Sequence, residues 1–183
     1  MAARDALVQS AIELIRRNGV AATGVAELLA HSGISRRSIY LNFPGGKAEL
    51  IAEATRAAGA GMTDLIASVT GTSISSFTDA WKEVVESSGF RASCPIAAAA
   101  LGRSEAPDAA DAAGEAFRDW ENVLSARLVA GNVAPDVAES LATTIVAAVE
   151  GAVLLSIATR STEPLDRVGK HLDELIALHR RDA

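Results

Sequence analysis

An all-α fold follows from three observations on the 183-residue chain. Apolar residues recur at helical spacing, no stretch sustains period-two alternation, and alanine is abundant while aromatic residues make up only 4%. The 49% apolar and 22% charged content suits a compact core rather than a disordered chain. The length fits one ordinary domain or two small ones sharing a core.

Each element can be justified in turn. Val8, Ala11, Ile12 and Ile15 follow the i, i+3, i+4, i+7 rule, so a first helix runs to about Asn18 and stops at Gly19. Val25, Leu28 and Leu29 make a short second helix, which gives way to Ser32-Gly33-Ile34. Ser35 then caps a third helix through Ile39 and Tyr40, ended by Pro44-Gly45-Gly46. A long helix from Lys47 places Leu50, Ile51, Ala54, Ala58, Met62, Leu65, Ile66 and Val69 on one side, and Gly59 and Gly61 are expected to soften or bend it. After a loop at Gly71-Thr72-Ser73, the residues Ile74, Phe77, Trp81, Val84 and Val85 define the next helix, closed by Ser87-Ser88-Gly89. Cys94-Pro95-Ile96 to Leu101-Gly102 reads as a brief helix with Pro95 in its first turn. Another begins near Pro107-Asp108, carries Ala113, Phe117, Trp120, Leu124 and Leu128, and ends at Gly131-Asn132. Pro135 opens the helix containing the apolar run 141–158. The last starts near Pro164, with Leu165, Val168, Leu172, Leu175 and His179 forming a narrow heptad-like seam.

Charge is uneven along the chain. Residues 1–47 carry six basic side chains (Arg4, Arg16, Arg17, Arg36, Arg37, Lys47) against Asp5, Glu13 and Glu27, a net +3 that leaves -9 on the rest of a chain of total charge -6. A small basic head on an acidic body suits a protein that meets a polyanion at one end, although an excess of three is also within chance. The single cysteine, Cys94, excludes an internal disulfide and agrees with a reducing compartment. The charged N-terminal stretch does not read as a signal peptide. The 141–158 run is broken by Thr143, Thr144, Glu150 and Ser156, which argues against a membrane span. A cytoplasmic protein with no membrane partner is expected.

Helix, short helix, glycine turn, short helix is the plan of a helix-turn-helix head. Ile34, Ile39 and Phe43 can pack inward while Arg36, Arg37, Ser38 and Asn42 face out. An arginine fork matches guanine O6 and N7, and serine hydroxyls suit bases or phosphates. Tyr40 and Lys47 are better suited to phosphate oxygens, which position rather than specify. Two adjacent arginines alone are more often what a solvated helical face carries. The spacing of the whole stretch from Gly19 to Lys47 is what favours DNA.

With those residues in place, the sequence resembles the TetR family of transcriptional repressors. The resemblance is carried by Ala11-Ile12-Glu13-Leu14, Gly19, Thr23, Leu28, Gly33-Ile34-Ser35, Tyr40, Phe43 and Lys47-Ala48-Glu49-Leu50, about a quarter of the chain. Three positions depart from the family pattern. Gly24 stands where the family has a phosphate-contacting threonine, which moves that role to Thr23. Leu29 replaces an alanine in the turn, and the segment from Phe43 to Lys47 is one residue longer than the common form. Thr23-Gly24, the Gly-Gly loop and Ser93-Cys94-Pro95-Ile96-Ala97 are similar to the LmrA/YxaF-type branch.

The resemblance implies a head at 1–47 and a helical ligand-binding and dimerisation body at 48–183. It implies a homodimer paired through the last two helices on a palindromic double-stranded operator, released by a small apolar or aromatic effector. DNA contacts are then expected from Thr23, Ser35, Arg36, Arg37, Ser38, Tyr40, Asn42 and Lys47. The seam 165–179 and the 141–158 helix offer independent support for pairing, although both could simply pack within one chain. Met62, Phe77, Trp81, Cys94, Phe117 and Trp120 are the candidate effector residues, and each alone is also an ordinary core residue. Cys94 has only Arg91 nearby to activate it, and a small buried hydrophobe is the plainer reading. Glu150, inside an apolar helix, needs a buried partner such as an arginine or exposure at an interface.

Catalytic, cofactor and metal sites are not expected. His171 and His179 are eight residues apart, away from metal-ligand spacing, and no glycine-rich phosphate loop follows a strand. The alternative function is a helical small-molecule-binding or interaction protein that no longer reads DNA.

Overall fold

The computed structural model describes residues 3–68 and 73–181. Among them are nine helices: α1 Ala3–Asn18, α2 Val25–Ser32, α3 Arg36–Asn42, α4 Gly46–Ser68, α5 Ser75–Ser87, α6 Pro95–Leu101, α7 Pro107–Ala130, α8 Pro135–Thr159 and α9 Glu163–His179. Each expected helix is present, with bounds shifted by a residue or two. Val69, Gly71 and Thr72, assigned above to the end of the long helix and its loop, lie outside the described residues.

By packing, the chain divides into two units. One comprises the residues through Gly61 together with Cys94–Ala116; the other comprises Met62–Ser93 and the residues from Phe117 onward. α4 and α7 therefore contribute residues to both. The units of packing do not follow the boundary at residue 47.

The core of the first unit is built from Leu7, Leu28, Ile39, Phe43, Leu50, Ile51 and Ile96, each almost wholly buried. α6 packs against α1. Gly59 is buried on α4 because a β-carbon there would lie only 2.7 Å from that of Ala116 on α7. The expectation of a softened helix is thus replaced by a close helix–helix approach, and α4 runs unbroken through both glycines. Arg4 pairs with Glu53 at 2.8 Å, and its guanidinium stands 5.3 Å from the centroid of the Phe43 ring.

In the second unit α9 packs against α5 and α8, burying Trp81, Val85, Leu128, Ile145, Val149, Val153, Leu165, Leu172 and Ile176. The inward stripe of α9 is Leu165, Gly169, Leu172 and Ile176. The heptad-like seam is therefore displaced: Val168 and Leu175 are only half-buried and His179 is exposed. Two apolar stripes run along this helix, and the one rich in large side chains is not wholly the one turned inward. By length and composition α8 is apolar enough to cross a membrane, yet its buried residues face the helices of this unit, as the core helix of a globular fold does.

Asp173 ties α9 to the start of α5. Its carboxylate accepts from the Ile74 amide at 2.5 Å, the Ser75 amide at 3.3 Å, and the hydroxyls of Ser75 (2.6 Å) and Ser73 (3.1 Å). Burial pushes the carboxyl upward, but these donors outweigh it and hold Asp173 below its ordinary value.

Candidate nucleic-acid interface and apolar cavity

The turn between α2 and α3 is built by short-range polar bonds. The Ser32 hydroxyl donates to the Leu28 carbonyl at 2.6 Å and accepts from the Ile34 amide at 3.2 Å. Gly33 closes α2 at φ +69, a left-handed conformation that side chains with a β-carbon rarely adopt. Ser35 then caps α3, its hydroxyl accepting from the Ser38 amide at 3.3 Å and lying 3.0 Å from the Ser38 hydroxyl. Asn42 donates to the Ser38 carbonyl at 2.8 Å. Ile39 and Phe43 are buried beneath the helix, Arg37 lies on its opposite side, and Arg36, the first residue of the helix, is exposed as well. Tyr40 is half exposed, with its ring so close to Gly46 that a β-carbon there would fall 3.1 Å from Cε1. Lys47 follows at the start of α4, half-buried. Glu49 accepts from the Gly45 amide at 2.7 Å and so tightens the same corner.

The six basic side chains of this region fall into two sets. Arg4 is paired with Glu53, and Arg16 and Arg17 with Glu13 at 3.8 and 2.6 Å. The Arg4 hydrogen bond holds the Glu53 carboxyl below its ordinary value, so that carboxylate stays charged against its partner. Among the described residues, Arg36, Arg37 and Lys47 form no ion pair.

Thr23 requires a correction. It is completely buried, and its hydroxyl donates to the Gly19 carbonyl at 2.7 Å. A side chain enclosed in this way closes the turn after α1, and its hydroxyl is not presented at the surface.

The second unit holds a cavity of mostly apolar lining. Of the residues expected there, Met62, Phe77, Trp81 and Trp120 line it, together with Ile66, Ile74, Leu124, Leu128, Ile145, Val146 and Val149. Phe117 and Cys94 do not. Phe117 stands edge-on to Trp120, with ring centroids 5.2 Å apart at 88°, and so buttresses a wall residue instead of lining the space. Cys94 is buried in the first unit, where it precedes Pro95 at the start of α6.

Three polar side chains share the cavity wall: Ser73, Arg127 and Glu150. Arg127 donates through Nη1 to the Ile66 carbonyl at 2.6 Å and the Ala67 carbonyl at 3.3 Å, satisfying backbone groups at the end of α4. Glu150, visible in the sequence as a charge in an apolar run, lines the cavity, as Arg127 does. Arg127 had no such signal, because a basic residue in the last turn of a helix is ordinary.

A serine-capped helix set behind a glycine turn, with exposed arginines that form no ion pair among the described residues, is the arrangement of a helix-turn-helix protein. Similarity to known proteins specifies which. Residues 7–54 match the bacterial regulatory proteins of the tetR family, and residues 70–171 match the C-terminal domain of LmrA/YxaF-like transcriptional regulators. The uncharacterized HTH-type transcriptional regulator Rv0196 of Mycobacterium tuberculosis is 35% identical, across 94% of this chain and 93% of its own length. The HTH-type transcriptional regulator LmrA of Bacillus subtilis is 24% identical, across 94% and 96%. In fold, the chain superposes on a TetR-family regulator from Agrobacterium tumefaciens with a TM-score of 0.82, at 19% identity and 98% coverage of both chains. The chain belongs to the TetR family of transcriptional regulators, within its LmrA/YxaF-like branch.

Proposed function

We propose that this protein is a cytoplasmic, homodimeric repressor that binds a palindromic operator and leaves it when a small apolar or aromatic effector occupies the cavity. The observation that carries the reading is that Arg36 and Arg37 of α3 are exposed and, among the described residues, form no ion pair, while the hydroxyl and amide groups around them are engaged within the turn. Arg36 and Arg37 read bases in the major groove, and Ser38 contributes when its hydroxyl rotates away from Ser35. Tyr40 and Lys47 hold phosphates. Ser35 and Asn42 act mainly by keeping α3 in shape. Residues 1–47 are the DNA head in this scheme and 48–183 the effector and pairing body; its activity is binding, not catalysis.

Pairing through α8 and α9 is supported by their uncovered apolar side chains: Leu154 is 66% exposed, Leu155 54% and Leu178 80%. Two protomers so joined present two reading helices, and an operator of two half-sites about 34–36 Å apart matches them. Release follows when an effector favours a conformation with a different spacing of the two heads. Arg127 is suited to couple the two events, since it lines the cavity and also holds the carbonyls of the last turn of α4, the helix that begins beneath Tyr40.

The test is selection of bound sequences from a random duplex library at two salt concentrations. A recovered palindrome whose affinity falls steeply with salt is the expected result, because phosphate contacts release counterions. Recovery of no motif from folded, dimeric protein would overturn the reading and favour a helical small-molecule-binding protein.

A further inference from the structure

Leu41 is 69% exposed on α3, where the neighbouring outward residues are polar. A single exposed leucine is ordinary and carries no argument by itself. Its direction does. At about 100° per residue, Leu41 falls about 180° from the midpoint between the buried Ile39 and Phe43, so it is the side chain of α3 pointing most directly away from the core. Arg37 lies one turn earlier on the same stripe, while Tyr40 and Asn42 fall to either side. The arginine and the leucine together form the leading edge of the helix.

We infer that Leu41 packs against the C5 methyl of a thymine, beside the base that Arg37 engages. The inference deepens the operator-reading proposal and rests on it. Among the groups that base edges display in the major groove, the thymine methyl is the apolar one, and a leucine has no hydrogen bond to offer any other. Side chains one turn apart are about 5–6 Å from each other, against about 3.4 Å between stacked bases. The thymine therefore lies one or two base pairs from the Arg37 base, and each half-site carries the same pair.

The test replaces, one at a time and in both half-sites, each thymine of the selected operator by uracil, which removes the methyl and leaves every hydrogen-bonding group in place. For the native chain, one position is expected to cost about 4-fold per half-site and about 15-fold for both, the effect of one lost apolar carbon in each. Leu41→Ala is expected to bind the intact operator more weakly and to show no further loss with uracil at that position, so that the cycle closes on this contact. Alanine is the stronger helix former and Leu41 is exposed, so the variant retains its fold, which circular dichroism checks. If no thymine costs the native chain more than about 2-fold, or if the same uracil penalty persists in Leu41→Ala, the assignment is wrong while operator reading stands. Failure to select any operator overturns the operator proposal itself, and this contact with it.

Discussion

Near the glycine turn, Arg36 and Arg37 are exposed and form no ion pair among the described residues; in the unit that holds the cavity, Arg127 and Asp173 are each directed at the backbone end of another helix. Both arrangements use full charges, but for different work. The arginines of α3 contribute nothing visible to the fold and remain available for a ligand. Asp173 and Arg127 hydrogen-bond backbone groups at the start of α5 and the end of α4. Exposure together with lack of a partner, not charge alone, distinguishes the surface proposed to meet DNA from a structural clamp. Changing the first set should alter binding and spare stability; changing the second should do the reverse.

The largest effect is expected at the head. Arg36→Ala and Arg37→Ala each remove a base contact worth about 1–3 kcal/mol per half-site, so a dimer loses about 30-fold or more in operator affinity. Fluorescence anisotropy on the selected operator measures this, and urea denaturation should place both variants within about 0.5 kcal/mol of the native chain. Unchanged affinity in both would mean that α3 is not the reading helix.

Asp173→Asn tests the opposite side of the comparison. It replaces a carboxylate accepting four hydrogen bonds by a neutral amide with one acceptor oxygen, and a stability loss of about 1–3 kcal/mol is expected in urea titrations. The pH dependence has a definite sign. Because the folded carboxyl is depressed below its ordinary 3.8, its contribution is fully present above that value and disappears as pH falls from there through the folded value. The difference between native and variant should accordingly be constant from pH 5 to 7 and shrink in acid. A difference that grows in acid would remove Asp173 from this role.

Arg127→Ala sits between the two regions. Loss of its bonds to the Ile66 and Ala67 carbonyls should cost about 1–2 kcal/mol, measured by the same titration. It should also change how an effector found by thermal-shift screening releases the operator, since a cavity wall residue and an α4 clamp are then removed together. Full native release by such a compound in the variant would show that Arg127 takes no part in coupling.

The same contrast explains what could be read from the sequence. The turn from Gly19 to Lys47 was legible because its determinants are local: Ser35 caps its own helix three residues on, and Ser32 bonds Leu28 four residues back. Helix starts at Pro95, Pro107 and Pro135 were legible for the same reason. Four of the six candidate effector residues line the cavity because aromatic and methionine side chains on core helices border any space left between them. The roles of Arg127 and Asp173 depend on partners about 60 and 100 residues away, which no local pattern encodes. Cys94 lies away from the cavity for a related reason: α6, which it precedes, packs with α1, a long-range pairing that no local pattern encodes. On α9, a 3-4-3-4 spacing of large residues competed with the stripe through Gly169, and the glycine won because the Ser75 backbone and Thr78 side chain lie against it.

The smallest effect concerns Thr23, and it sharpens the comparison at the one position where head and clamp were confused. Thr23→Val keeps the shape and removes the hydroxyl that donates to the Gly19 carbonyl. The expected cost is about 1 kcal/mol of stability, the net value of one hydrogen bond, since the Gly19 carbonyl loses its donor while the valine methyl fits the same buried space. Operator affinity should stay within about 2-fold, with an unchanged slope against salt, because a buried hydroxyl neutralises no phosphate. A tenfold loss of affinity at native stability would instead mean that the turn opens on DNA and exposes Thr23, returning it to the set of outward-facing groups that includes Arg36 and Arg37.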